Sequence, residues 1–320
     1  MITLEHVYLL AGLFFAAVAA LSARDRDHRK RLGNTIFWSL LSANFLFGSH
    51  LGDFANGLIV LGLVALGGSG AIGRSAPTTT TPMERQASAA RYGNALFLPA
   101  LLVPLVTVLG TLTLRHAVVL GRPLVDAAQV TLISLAFGVI AGLCWAITWL
   151  RPPALAPIEE GRRLVDSIGW AAILPQLLAA LGVIFTQAGV GRAVGELATR
   201  FIPLDRPIEA VAAYCIGMAL FTFVMGNAFA AFPVMTAAIG LPVIVREFGG
   251  SPAIMSAIGM LAGFCGTLCT PMAANFNIVP AALLDLPNRN AVIAAQMPTA
   301  IPLLLGNIVL MYVLVFRFHS

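Results

Sequence analysis

The sequence predicts an all-α polytopic membrane protein of about nine or ten transmembrane segments with a helical hairpin and a broken helix in its C-terminal half. Three observations carry this reading. Of 320 residues, 59% are hydrophobic and only 10% charged, where soluble domains carry roughly a quarter charged. The apolar residues fall into successive runs close to the ~20 residues that cross a ~30 Å hydrocarbon core. Finally, the stretch 210–284 is apolar yet interrupted twice by residues a plain membrane helix does not favour.

Those interruptions are 225–233, containing Gly226, Asn227, Ala228 and Pro233, and 263–277, containing Gly266, Thr267, Thr270, Pro271, Asn275 and Asn277. In hydrocarbon an unpaired backbone N–H or C=O costs several kcal/mol, so non-helical backbone persists there only when buried in protein or lining a wet cavity. Two such breaks predict a polar site. Helix N-termini meeting there favour anions, and the free carbonyls of C-termini favour cations.

In chain order, apolar runs predict spans at 7–21, 35–51, 56–72, 95–114, 125–150 and 168–185, then at 210–224, 229–245, 252–284 with its break, and 298–316. The first run is followed, not preceded, by positive charge, the wrong order for a cleaved signal peptide. With the N-terminus outside, Arg24, Arg26, Arg29, Lys30, Arg31, Arg74, Arg85, Arg91, Arg151, Arg162 and Arg163 lie inside, eleven against Arg115 and Arg122 outside; positive-inside asymmetry favours that orientation. The cationic residues occupy short loops and form no basic face. The net charge of +5 therefore speaks for membrane orientation and against nucleic acid.

Two polar stretches punctuate the chain. Residues 73–92, with the run Thr78-Thr79-Thr80-Thr81, read as a loose cytoplasmic loop. Residues 151–166 read as a cytoplasmic linker. They divide 1–150, a set of N-terminal helices with a scaffold character, from 167–320, a transport-type region. Gly93-Asn94-Ala95 with Pro99 echoes Gly226-Asn227-Ala228 with Pro233, more as the start of a helix than as a repeat.

The chemistry present is neutral. The fourteen carboxylates lie at or beyond the ends of the spans, and the five histidines are isolated. Charge at the bilayer centre is kept mainly where protons or cations are handled. No metal-binding His motif, nucleophile elbow or phosphate loop is present, so an enzyme is not expected and no cofactor is implied. The four cysteines lie in apolar segments as packing residues, with Cys265 and Cys269 four apart beside the second break. Asn227 and Thr270 read as binding groups, since each adjoins a backbone break. Thr236, Gln187 and Asn307 read at least as well as helix-packing polar residues.

The two breaks resemble the ion-transporter superfamily of divalent-anion/sodium symporters and tripartite transporter large subunits. A hairpin tip of the Ser-Asn-Thr type there looks like Gly226-Asn227-Ala228, and an unwound Thr-Pro-Pro-Asn segment looks like Thr270-Pro271-Met272 leading to Asn275. Over nearly its whole length the chain resembles domain-of-unknown-function family 979, described as one subunit of a 5-oxoproline transporter. Leu4-Glu5-His6, Ala65-Leu66-Gly67-Gly68 and the stretch Gly266 to Asn277 carry that resemblance. It implies a bacterial inner-membrane protein, a second membrane subunit of family 969, a homo-oligomer left open, and transport of a small organic anion. The superfamily resemblance implies an elevator-type movement, and by position it places substrate at Gly226, Asn227, Ala228, Thr267, Thr270, Pro271, Asn275 and Asn277, with sodium as a coupling ion near Asn227 and Thr270. Gly226 and Ala228 stand where the symporters have hydroxyl residues, and Met272 where they have proline. The competing expectation is an accessory scaffold that binds a transporting partner but no substrate.

Overall fold

The computed structural model describes residues 1–75, 81–119, 121–201, 204–284 and 286–317. Among the described residues the regular structure is helical apart from a two-residue antiparallel ladder, Val118–Val119 with Arg122–Pro123, and an isolated bridge between Ile2 and Val125. Among the described residues seven helices are long and apolar enough to cross a membrane, and three shorter apolar helices accompany them. Two compact units divide it, 1–170 and 171–320.

In the first unit, α1 (Leu4–Arg24) and α2 (Arg31–Phe47) form an antiparallel pair. Phe15 stacks on both Trp38 and Phe45, with centroids 5.5 and 5.6 Å away, and Ser42 donates to the Gly12 carbonyl at 2.8 Å. After α3 (Asp53–Gly68) come α4 (Pro82–Tyr92), α5 (Leu98–Leu114), α6 (Val130–Leu150) and α7 (Ala156–Ile168). α5 and α6 pack backbone to backbone, because Gly138 and Gly142 face Val103 and Pro99 where a Cβ would come within 2.6 to 2.7 Å of their carbonyl oxygens. Small residues permit this approach, the usual way helices associate without a hydrophobic drive in lipid.

The polar stretches are more ordered than composition suggests. The expected loose loop at 73–92 is tied down at both ends, and 76–80 lie outside the described residues. At its start Asn34 and Gly73 exchange two hydrogen bonds, 2.7 and 2.8 Å, and Lys30 donates to the Gly70 carbonyl at 2.8 Å. At its end Thr81 caps α4, accepting from the Glu84 N–H at 3.2 Å while Glu84 accepts from the Thr81 N–H at 2.7 Å. The spacing Thr-Pro-x-Glu is a capping box with proline at the first helical position. The stretch 151–166, expected as a linker, carries most of α7, which turns Arg162 and Asp166 inward at 5% and 2% exposure. Asp166 accepts from the Trp38 indole N–H at 2.7 Å and from the Ser75 hydroxyl. Arg162 donates to Ser75 at 3.2 Å, to the Leu21 carbonyl at 3.0 Å and to Asp25. Both charges are buried because each finds several partners, a condition that composition cannot express.

The second unit contains α8 (Leu174–Gln187), α9 (Val190–Phe201), α10 (Pro207–Met225), α11 (Ala228–Met235), α12 (Pro252–Leu268), α13 (Ala274–Leu283) and α14 (Ala291–Val315). α11 runs on without a gap into wider, π-type turns over Thr236–Glu247. The core is built from Tyr214, Met218, Ile239, Ile244, Met255 and Met311. α14 begins seven residues before the expected start at 298 and keeps Pro298 and Pro302 inside it. Proline within a membrane helix is tolerated where other groups take up the freed carbonyls, so it did not mark the boundary here.

Candidate functional site

The first break follows from glycine. α10 ends at Met225, and Gly226 takes φ +77°, a left-handed conformation open to a residue with no Cβ. Asn227 then sits in extended backbone as the N-cap of α11, its side-chain oxygen accepting from the Phe229 N–H at 2.7 Å. A sharp reversal results, and α10 with α11 and its continuation forms a helical hairpin whose arms meet at Gly217 and Met235, and at Tyr214 and Gly240.

The second break lies between Leu268 and Ala274. The Thr270 hydroxyl accepts from the Met272 N–H at 3.2 Å. Asn277, fully buried one turn into α13, reaches back across the gap. Its amide nitrogen donates to the Thr267 carbonyl at 2.8 Å and to the Thr270 carbonyl at 2.7 Å. It thereby satisfies two carbonyls that the end of α12 would otherwise leave bare.

The two breaks come together. Tyr214, Met218 and Ala219 of α10 lie in that order against Gly259, Gly263 and Gly266 of α12, so these helices run parallel and end side by side. A Cβ on Gly266 would lie 3.0 Å from Ala219 Cα, and one on Gly263 3.0 Å from Ala228 Cβ. At the tip, a Cβ on Gly226 would lie 2.5 Å from the Met272 carbonyl carbon. Two helix C-termini and two helix N-termini thus converge on one place, offering carbonyl oxygens from one pair and amide N–H groups from the other.

Two buried oxygens there have no partner among the described residues: the Thr222 hydroxyl, one turn before Gly226, and the side-chain oxygen of Asn277. The Asn277 amide cannot be turned round to relieve this, because its nitrogen faces two carbonyls that need a donor. Unpartnered buried acceptors are uncommon, and each asks for a reason. Thr222 was not singled out from the sequence. A hydroxyl one turn ahead of Gly226-Asn227 was the available signal, but it lies inside an uninterrupted apolar run.

Of the other expected residues, Ala228 and Thr267 are buried, Asn227 is half-buried, and Pro271 and Asn275, like their neighbour Met272, are exposed on the open side of the same place. Phe264 links Phe229 and Phe276 in a line of edge-on and tilted rings, centroids 6.1 and 6.3 Å apart. Cys265 turns away toward α14, where Asn307 donates to its sulfur at 3.6 Å. Thr236 pairs with the Tyr214 hydroxyl at 3.3 Å inside the packing. No group of three or more His, Cys, Asp or Glu is placed to hold a metal among the described residues.

Composition, helix lengths and these paired breaks define a multi-pass helical membrane protein. The profile of the family described as "Protein of unknown function (DUF979)" matches residues 5–316, and the chain belongs to that family. Among solved structures it is similar to the YdaH transporter of Alcanivorax borkumensis, at 18% identity over 96% of this chain and 73% of that one, with a TM-score of 0.35. No curated protein matches it.

Proposed function

We propose that this chain is one subunit of a secondary active transporter for a small organic anion, with 5-oxoproline as substrate and the two breaks as the substrate-handling site. The observation that carries the reading is the convergence of Gly226 and Met272, two interruptions distant in sequence, beside the unpartnered oxygens of Thr222 and Asn277. Helix N-termini at Asn227 and Ala274 suit a carboxylate. Neutral oxygens from Thr222, Asn277 and the free carbonyls suit a hard monovalent cation such as sodium, and among the described residues the site has no carboxylate to carry a proton. Movement of the second unit by an elevator-type step, in a bacterial inner membrane, completes the reading.

A second membrane subunit, of family 969 type, belongs to the same proposal. Pro271, Met272 and Asn275 stand exposed on non-helical or newly started backbone, and such backbone is not tolerated against lipid. Another membrane chain laid over this face would remove the conflict. The same exposure, with Met272 at 61% and Phe229 at 64%, favours the second reading, in which the breaks are only a docking face for a transporting partner.

Uptake of labelled 5-oxoproline separates the two. Cells carrying this chain, the partner, both or neither are compared, with Asn227→Leu and Thr270→Leu introduced into the pair. Transport by the pair that both variants abolish, with copurification intact, supports the site. Uptake no greater than in empty cells removes the substrate assignment, and loss of copurification instead of uptake supports the docking role.

A further inference from the structure

A cavity of about 320 Å³ opens in the second unit where the α8–α9 turn meets the α11 hairpin arm. Thr186, Gly189 and Arg192 line one side of it, and Pro233, Val234 and Ala237 the other. None of the residues proposed above to handle substrate lines it. Its volume falls at the small end of the range that ligand pockets occupy.

Its electrostatics are one-sided. Among the described residues Arg192 is the sole charged member of the lining, and its guanidinium makes no hydrogen bond or ion pair with them. It stands in the first turn of α9, a turn that contains no acid. That is the positive end of the helix, where an acid is favoured and a base is not. Gly191 packs so tightly on the hairpin arm that a Cβ there would sit 3.0 Å from the Val234 carbonyl oxygen, and Arg192 follows it directly in the chain. The Thr186 hydroxyl is already spent on the Gly182 carbonyl at 3.0 Å, so it does not compete as a donor.

We propose that this cavity binds a small monocarboxylate through Arg192. A single guanidinium fork matches one carboxylate, and Pro233, Val234 and Ala237 offer apolar surface to a short carbon skeleton. The ligand carboxylate would then meet the Arg192 guanidinium at the first turn of α9. The site is separate from the transport reading, since neither break tip forms it.

The test is calorimetric titration of the purified full chain in detergent with lactate and with 5-oxoproline, each against its uncharged amide. Arg192 is exposed, so Arg192→Gln and Arg192→Lys are expected to fold. The expected result is carboxylate binding without amide binding, weakened about ten-fold or more in Arg192→Gln and partly kept in Arg192→Lys. Lactate binding unchanged by Thr222→Val but lost in Arg192→Gln assigns the anion to this cavity, whatever the uptake experiment finds. No carboxylate binding to the native chain, equal binding of the amides, or loss in Thr222→Val with Arg192→Gln unaffected overturns the proposal.

Discussion

Gly226→Ala tests whether the two breaks act as one place. Gly226 holds φ +77°, and a left-handed backbone costs an L-residue with a Cβ about 1–2 kcal/mol. The added methyl would also lie 2.5 Å from the Met272 carbonyl carbon, against the 3.4 Å of ordinary contact. Either break must then retreat by about 1 Å, and forced overpacking of this kind costs about 1–3 kcal/mol. Together the change removes about 2–5 kcal/mol from the arrangement in which the tips touch. Gly306→Ala supplies the contrast: nothing lies within 4 Å of its would-be Cβ, and it sits inside α14, where alanine is preferred by about 1 kcal/mol. Thermal unfolding in detergent, read alongside uptake, is the assay. Gly226→Ala is expected to melt several degrees lower and to lose transport, while Gly306→Ala melts at or above the native temperature. If the two alanine variants behave alike in both assays, the junction of the breaks is not as tight as described.

Three further outcomes are expected. Thr222→Val removes an unpartnered buried hydroxyl, so stability should hold or rise while uptake falls; a fall in stability instead would mean that the hydroxyl is a packing group with a partner. Asn277→Leu should leave the Thr267 and Thr270 carbonyls bare at about 1–3 kcal/mol each, giving a variant that melts far below native and does not transport. In the first unit, Arg162→Met strands Asp166 without its cation and should cost about 3–5 kcal/mol. Asp25→Asn should cost less, since Asp25 is a quarter exposed; protease sensitivity of the 69–75 segment reports both, and equal sensitivity would contradict the ranking.

Helix content and membrane character were legible in the sequence because they depend on composition and run length, which any window of the chain displays. The two breaks were legible too, since glycine, proline and amides inside apolar runs are local signals. Sequence also singled out Asn277, though not the bonds it makes to Thr267 and Thr270 across the gap. Other features depended on contacts between distant residues. Arg162 and Asp166 looked like surface charges of a linker until Trp38, Ser75 and Asp25 were seen to surround them. The tie of Asn34 to Gly73 spans 39 positions, and the meeting of Gly226 with Met272 spans still more. The Thr222 hydroxyl shows the limit most clearly: its place in an unbroken apolar helix is written in the sequence, but its lack of any partner is a property of what surrounds it, and only the packed chain decides that.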